Sequence, residues 1–434
     1  MNPTVIGIIG LFVLILIFLT RLPIAFTMTL VGFTGFTYLV SLKGALNLLA
    51  QDVFTTFASY SMSVIPLFIF MGSVATRSGI SRKLYSSAYK WIGHKPGGLA
   101  MATIGGCAAF GAVCGSLTAG VATMTTVALP EMRKYKYDYG LATGSIAAGG
   151  TLGVLIPPSI IFILYGITTE QPISKLFIAG ILPGILITAL FMFMVYVRCR
   201  RNPSMGPPGP VVPLKEKLMS LTACIDMLLL FALVMGGLFT GFFTPTEAGA
   251  VGALGALLLA FVSRRISWTG LKECIVDTLK ATGMIFMLLY GTTIFGQFLA
   301  VTQIPVNLAE WLVSLPIPNL AILVGILIIY LLGGCFMGGL AFMLLTLPVF
   351  YPVAESLGFD PIWFGVLMVI MVEMGSVTPP VGTGVYIIAG VANDIPLEVI
   401  FKGIFPFIVV FALSLIILIA FPEIALFLPK LMIQ

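Results

Sequence analysis

The chain has 434 residues, of which 59% are hydrophobic and 9% are charged, and its mean hydropathy is +1.14. Soluble domains carry roughly 25% charged residues, so this composition excludes a soluble globular protein and indicates a polytopic membrane protein. It contains no Walker A glycine loop and no polar stretch long enough to fold alone, so neither ATP-driven chemistry nor an organic cofactor is expected. One histidine and six cysteines without metal-ligand spacing argue against an enzyme.

Ten apolar runs match the roughly 20 residues that an α-helix needs to cross a lipid bilayer. The predicted spans are 4–20, 23–41, 62–76, 141–168, 176–197, 223–241, 247–262, 281–300, 362–391 and 403–421. No basic region precedes the first run and no cleavage site is evident, so it is predicted to be a span rather than a signal peptide. The expected fold is therefore an all-α polytopic membrane protein.

Two further apolar regions, 98–129 and 319–350, are too long for one span and are interrupted by glycines. The interruptions lie at Gly111 to Gly120 and at Gly333 to Gly339. Each region fits two half-length helices that return to their side of entry, because glycine permits the reversal at the tip. Irregular backbone at membrane depth is tolerated where protein buries it or where it lines a wet cavity. Both regions are therefore predicted to be re-entrant helical hairpins.

Two motifs recur about 222 positions apart. Residues 153–158 (GVLIPP) are matched by 375–380 (GSVTPP), and residues 180–183 (GILP) by 403–406 (GIFP). Upstream, Gly115, Gly120, Leu129 and Pro130 share their spacing with Gly333, Gly338, Leu347 and Pro348. Paired prolines interrupt a helix, so a broken helix is predicted at 141–168 and another at 362–391. The predicted organisation is a first repeat at 1–198, a Pro-rich cytoplasmic linker at 199–220, a second repeat at 221–422 and a C-terminal tail at 423–434.

The distribution of positive charge predicts the orientation. With the N-terminus outside and both hairpins returning to their side of entry, all but three of the 22 lysines and arginines lie inside. The three exceptions are Lys43, Lys175 and Lys430. This is a strong positive-inside bias, and it also accounts for the net charge of +6 without a nucleic-acid partner. The same assignment gives the two repeats inverted topology and places both termini outside.

The broken helices are candidate cation sites. A proline has no amide hydrogen, so carbonyl oxygens are exposed near Gly153 and Ile156 and near Gly375, Val377 and Thr378, where the threonine hydroxyl adds another oxygen. Oxygen ligands of this kind suit a hard monovalent ion. The alternative interpretation is a structural kink, although two breaks at equivalent positions of a repeat favour function.

The hairpin tips are candidate substrate contacts. The first offers hydroxyls at Ser116 and Thr118 and a close backbone approach at Gly120, and the second offers backbone at Gly338 and Gly339. Helix N-termini at these tips would face an anionic substrate with partial positive charge. The alternative is that these small residues only let helices pack closely.

Acidic residues near the spans decide between coupling ions. Glu373 and Glu247 lie close to predicted helix ends, where a solvated or arginine-paired role is as consistent with the sequence as a functional one. No aspartate or glutamate lies deep in the first repeat. The absence of a carboxylate relay there favours sodium over protons.

Together, these motifs resemble the large membrane (DctM-like, M) subunit of tripartite ATP-independent periplasmic (TRAP) transporters, over essentially the whole chain. The resemblance implies an elevator-type secondary transporter of the bacterial inner membrane that imports an organic acid with sodium. It implies a small four-helix membrane subunit (Q-type) and a periplasmic substrate-binding protein (P-type) as partners. Sodium, at least one ion per repeat, is expected where hairpin tips meet broken helices: Ser116, Gly153, Ile156 and Pro157 in one repeat, and Gly338, Gly375, Val377, Thr378 and Pro379 in the other.

Other functions remain open at this stage. A stand-alone elevator carrier, either a carboxylate symporter or a sodium/proton antiporter, would share the repeats and hairpins. An ion channel is disfavoured, because channels usually build such loops by oligomer symmetry around one pore. Sialic acid, C4-dicarboxylates and sugar acids would all suit the same kind of cavity, so the sequence does not identify the substrate.

Overall fold

A computed structural model describes residues 2–20, 22–222 and 224–432, and over these ranges the chain is helical without strands. In the first half the helices are α1 Pro3–Phe18, α2 Ile24–Leu39, α3 Leu42–Ala58, α4 Val64–Arg77, α5 Ile80–Ile92, α6 Gly98–Cys114, α7 Leu117–Lys134, α8 Tyr139–Leu155, α9 Ile160–Thr169 and α10 Ile173–Arg201. They continue with α11 Leu214–Thr222, α12 Ile225–Phe239, α13 Pro245–Val262, α14 Trp268–Thr302, α15 Ile304–Ser314, α16 Asn319–Phe336, α17 Gly339–Ser356, α18 Pro361–Gly375, α19 Thr383–Val391, α20 Leu397–Ala420 and α21 Glu423–Leu431.

The order of elements repeats along the chain. Two helices lead into an arm helix, and then follow a short helix, a helical hairpin, a broken helix and a long closing helix. The arm is α3 with α4 in the first half, bent by 55° at the junction, whereas in the second half it is the continuous helix α14. The hairpins are α6 with α7 and α16 with α17, and the broken helices are α8 with α9 and α18 with α19.

The hairpins are longer than the predicted ranges 98–129 and 319–350, since α7 ends at Lys134 and α17 at Ser356. Prolines lie inside both helices, and in a membrane protein the neighbouring segments can satisfy the backbone groups that a proline leaves unpaired.

The bounds of the hairpin helices also correct the alignment of the repeats. Helix α7 and helix α17 are each 18 residues long and begin 222 positions apart, so Pro130 corresponds to Pro352 rather than to Pro348. The shared glycine and Leu-Pro spacing was misaligned by about one helical turn.

The predicted linker and the predicted tail both contain helices. Helix α10 continues to Arg201, and α11 begins at Leu214. Between them the linker hydrogen-bonds to the connection before α6, because the Gly97 amide donates to the Gly206 carbonyl at 2.8 Å and the Gly209 amide to the Gly93 carbonyl at 2.8 Å. Residues 423–431 form α21 instead of a tail, and this helix packs on α10. Residues 433 and 434 lie outside the described ranges.

The arms of the two halves pack across the repeat boundary. Helix α2 packs along α14, α13 packs along α4, and α4 also contacts α14. Helices α8 and α18 are the most enclosed elements, since every residue from Leu141 to Leu155 and from Ile362 to Gly375 is buried. The two halves therefore form one interleaved body rather than two separate bundles.

One ion pair ties the first hairpin to the second half. At the end of α7, Arg133 pairs with Asp394 in the connection between α19 and α20 at 2.6 Å. The hydrogen bond from this guanidinium lowers the pKa of the Asp394 carboxyl. Over the described ranges, seven helical segments are long and apolar enough to cross a membrane, with α8 and α9 counted as one segment. The number rises to nine if α3 with α4 and α11 with α12 each form one span. The chain is thus an all-α polytopic membrane protein.

The topology can be tested with single cysteines. Asn202→Cys and Glu355→Cys replace exposed residues, and all six native cysteines are buried, so background labelling should be low. In intact cells, a membrane-impermeant maleimide should label the Glu355→Cys variant and not the Asn202→Cys variant, because inverted repeats place these positions on opposite faces. Labelling of both variants from one side would contradict the two-hairpin topology.

Candidate functional site

The two hairpin tips meet at one cavity of about 970 Å³. Its lining includes residues 114–119 of the first tip and residues 338–341 of the second. The end of α18 and the start of α19 contribute Glu373, Ser376 and Thr383, and the arm helices α4 and α14 form the opposite wall. Residues that are more than 200 positions apart therefore converge on one space large enough for a small organic molecule.

In the first repeat, the hairpin packs directly on the break between α8 and α9. Gly115 has a positive φ of 60°, and a Cβ atom there would lie 2.5 Å from the Pro158 carbonyl oxygen. One turn earlier, a Cβ on Gly111 would overlap the Cα of Gly153. Only glycine allows this approach, so the hairpin covers the broken backbone without intervening side chains.

The second repeat makes the same kind of contact. A Cβ on Gly334 would lie 2.9 Å from the Val372 carbonyl oxygen and 3.2 Å from the Cα of Gly375. At the tip, a Cβ on Gly339 would collide with the Val372 side chain and lie 3.1 Å from the Ser376 hydroxyl. Each tip is thus held against the break of its own repeat.

The arm wall combines a glycine contact with an ion pair. A Cβ on Gly72 of α4 would lie 2.8 Å from the Cys114 carbonyl oxygen of the first tip. At the end of α4, Arg77 pairs with Asp277 of α14 at 2.7 Å and also with Glu273. Among the described residues that line the cavity, the charged side chains are Arg77, Asp277 and Glu373.

Four of the five predicted substrate contacts line the cavity: Ser116, Thr118, Gly338 and Gly339. The exception, Gly120, is buried within α7 and faces Gly150 of α8, where a Cβ would lie 3.8 Å from the Gly150 Cα. The misaligned glycine spacing explains this error. In the structure, the residue that precedes α7 is Ser116, and its counterpart before α17 is Gly338.

The predicted cation ligands of the first repeat include unpaired carbonyls. Because Pro157 and Pro158 have no amide hydrogens, the Gly153 and Val154 carbonyls lose their usual helical donors. Neither carbonyl accepts another hydrogen bond in the part of the chain that the structure describes. Ile156 and Pro157 follow on the same break, and Ser116 lies at the adjacent tip, where its hydroxyl contacts that of Thr118 at 3.0 Å. This oxygen-rich backbone fits a hard monovalent cation.

The corresponding carbonyls of the second repeat are already paired. The Gly375 carbonyl accepts from the Thr378 amide at 3.0 Å, and the Ser376 carbonyl accepts from the Gly384 amide at 3.0 Å. The Thr378 hydroxyl donates to the Met374 carbonyl at 2.6 Å, which leaves its oxygen lone pairs available. The Val377 and Thr378 carbonyls accept no hydrogen bond within the described ranges, and Pro379 is exposed. The repeats therefore offer different oxygen sets.

Sequence reasoning missed most of the arm wall and left the role of one acid open. Ile69, Gly72, Ser73 and Thr76 carry no motif that marks them as cavity residues. Of the two alternatives for Glu373, the structure disfavours a solvated or arginine-paired helix end, because the residue is only 4% exposed and its Oε2 atom has no hydrogen-bond partner among the described residues. Glu247, by contrast, is exposed and caps α13 through Thr244. The sequence signal that could have indicated a functional role for Glu373 is its position two residues before Gly375, at the break.

Paired hairpins and paired broken helices around one cavity define a membrane carrier of the secondary-transporter class. Residues 11–424 match the family described as "Tripartite ATP-independent periplasmic transporter, DctM component". The chain belongs to this family and is a transporter component, not an enzyme. Large permeases of the family work as one part of a tripartite system, with a small membrane protein and a periplasmic binding protein.

Two relatives match along nearly their whole length. The C4-dicarboxylate TRAP transporter large permease protein DctM of Pseudomonas aeruginosa is 34% identical over 403 residues, which cover 92% of this chain and 93% of that protein. The sialic acid TRAP transporter large permease protein SiaM of Vibrio cholerae is 31% identical over 411 residues, covering 94% and 95% respectively. Similar levels of identity thus accompany different substrates.

A solved structure is similar in fold. The crystal structure of the YdaH transporter of Alcanivorax borkumensis matches with a TM-score of 0.64 and 14% sequence identity, over 88% of this chain and 90% of that one. At this identity the likeness concerns the fold alone.

The glycine contact between hairpin and break can be tested within α6. Gly111→Ala should destabilise the protein by about 1–3 kcal/mol, because the added methyl overlaps Gly153 in a closely packed interior. Gly105→Ala in the same helix has open space around its Cβ and should leave the melting temperature unchanged or slightly raised. Thermal unfolding of both variants in detergent measures the difference, and equal melting temperatures would contradict the contact.

Proposed function

We propose that the chain is the transport subunit of a sodium-coupled TRAP transporter that imports an organic acid by an elevator mechanism. The acid, a sialic acid, a C4-dicarboxylate or a sugar acid, is delivered by a periplasmic binding protein. The chain lies in the bacterial inner membrane beside its small four-helix subunit, with both termini in the periplasm. The observation that carries this proposal is the convergence of both hairpin tips on one cavity.

Equivalent positions of the two arms support the elevator movement. Both α4 and α14 are followed by a residue with positive φ, Gly79 and Gln303 respectively. Counted back from that residue, Ile69, Gly72, Ser73 and Thr76 of α4 correspond to Thr293, Gly296, Gln297 and Ala300 of α14. The first four line the main cavity, and the second four line another cavity of about 400 Å³.

The two arm surfaces differ in what covers them. Gly72 is in contact with the tip of the first hairpin, whereas the atom closest to a Cβ on Gly296 would be a proline side-chain carbon at 3.7 Å. In an inverted repeat, the second arm surface is available to receive a tip once the hairpins move across the membrane. The main cavity represents one end of this movement and the smaller cavity the other.

The cavity suits an organic anion. Two 18-residue helices, α7 and α17, begin at the tips and direct their N-termini and unpaired amides toward the space. The only cation among the described lining residues, Arg77, is already paired with two carboxylates. Helix dipoles and hydroxyls therefore bind the anion, and bound sodium supplies the balancing positive charge.

Sodium coupling can be tested at the second break. Thr378→Val keeps the side-chain shape but removes the hydroxyl that lies beside the unpaired Val377 and Thr378 carbonyls. We expect the sodium concentration for half-maximal uptake to rise severalfold in proteoliposomes. Thr346→Val in α17 loses a similar hydroxyl-to-carbonyl bond away from the break and serves as the control. The same sodium dependence in both variants would remove the Thr378 hydroxyl from the ligand set.

Dependence on partners distinguishes the tripartite system from a stand-alone carrier. The outer loops of the predicted topology hold only Lys43 and Lys175 as cationic groups before the C-terminal segment, so capture of a dilute anion must be delegated. Uptake of labelled sialic acid, succinate and gluconate should be close to background with this chain alone. It should appear for one of these acids when the small subunit and the cognate binding protein are added with a sodium gradient. Robust sodium-driven uptake by the isolated chain would favour the stand-alone carrier.

A further inference from the structure

Glu373 is a buried acidic residue whose Oε2 atom has no hydrogen-bond partner among the described residues. It lies in the last turn of α18, is 4% exposed and lines the main cavity beside the second hairpin tip. Its Oε2 atom is buried and accepts no hydrogen bond from the described residues. Burying a charge without a partner is costly, so such a residue at membrane depth points to a ligand.

Among the described residues, Glu373 forms no ion pair. Helices α8, α9 and α16 pack against α18 and contain no charged residue. Helices α10, α17, α20 and α21 also contact α18, but they carry their charges near the ends, at Lys175, Arg198, Arg200, Arg201, Glu355, Glu398, Lys402, Glu423 and Lys430. Of these, Lys430 is paired with Glu423 at 2.7 Å. In the cavity itself, Arg77 is committed to Asp277 and Glu273.

The two repeats differ at this position. Counted from the glycine of each break, Glu373 corresponds to Thr151, whose hydroxyl donates to the Ala148 carbonyl at 2.6 Å. The first repeat has a neutral side chain together with unpaired Gly153 and Val154 carbonyls. The second repeat has its equivalent carbonyls paired and has a carboxylate in addition. The second break thus differs from the first by two paired carbonyls and one nearby acidic side chain.

We propose that the Glu373 carboxylate is a direct ligand of a sodium ion on the side of the cavity formed by the second hairpin. This inference rests on the proposed function and specifies its second cation site as a charged one. A sodium ion there neutralises Glu373 before an organic anion enters the same cavity, since two uncompensated negative charges in a low-dielectric space repel strongly. The first-repeat site, built from carbonyl groups and the Ser116 hydroxyl, binds its ion without a carboxylate.

Sodium-dependent stability tests the ligand directly. The chain, purified with its small subunit, is melted across a sodium chloride series in which choline chloride holds the ionic strength constant. A cation that binds only the folded state raises the melting temperature with its concentration. For Glu373→Gln we expect the sodium concentration at half of the rise to increase at least about tenfold, a loss of about 1.4 kcal/mol of binding free energy. Glu373→Asp should fall between this variant and the wild type.

Two controls separate ligation from general damage. Glu355→Gln removes an exposed carboxylate at the end of α17 and should leave the sodium dependence unchanged. In sodium-free choline buffer, Glu373→Gln should melt at or above the wild-type temperature, because it removes a buried unpaired charge. A sodium response of Glu373→Gln equal to that of the wild type would overturn the proposal. If the wild-type protein itself does not respond to sodium, the sodium coupling in the proposed function fails instead.

Discussion

The structure depends on one constraint: a carbonyl group released from a helix inside a bilayer has no water to bind, so protein must surround it. Pro157 and Pro379 each release such groups at the centre of the fold. The hairpins surround these carbonyl groups, because the hairpin glycines allow the hairpin backbone to pack directly against each break. Gly111 meets Gly153, and Gly334 meets Gly375. The hairpin and the break are therefore one packed unit in each repeat, and the two units share one cavity.

The repeats share this architecture but divide its chemistry unequally. The first break keeps its released carbonyls free, whereas the second reuses them for amides and a hydroxyl in the turn before α19. The arms differ as well, since α3 and α4 are bent against each other where α14 runs straight. The repeated order of elements gives both halves one architecture, while their different residues give each half its own oxygen set and its own wall of the shared cavity.

The sequence predicted the repeats, hairpins and breaks because glycine and proline act locally on the backbone. It placed Ser116 and Gly338 at the tips, and both line the cavity. It did not predict the arm wall, since the contact of Gly72 with Cys114 joins residues whose separation in sequence carries no periodic signal. Gly120 was wrongly predicted to lie at the first tip, because glycines are so frequent here that the two hairpin sequences can be aligned one helical turn out of register. The sequence also could not establish how deeply Glu373 lies, because burial depends on the helices packed around α18.

For the proposed elevator movement, the contact at Gly72 bears on speed as well as on geometry. There the hairpin tip touches the arm through a backbone carbonyl, with no side chain between them. Interlocked side chains would have to change rotamers together before two surfaces could slide, and that unlocking would add to the activation barrier. A backbone facing a glycine has no rotamers to change. At this point the barrier to movement consists of lost dispersion contacts and desolvation, which favours rapid exchange between states and a turnover limited elsewhere in the cycle.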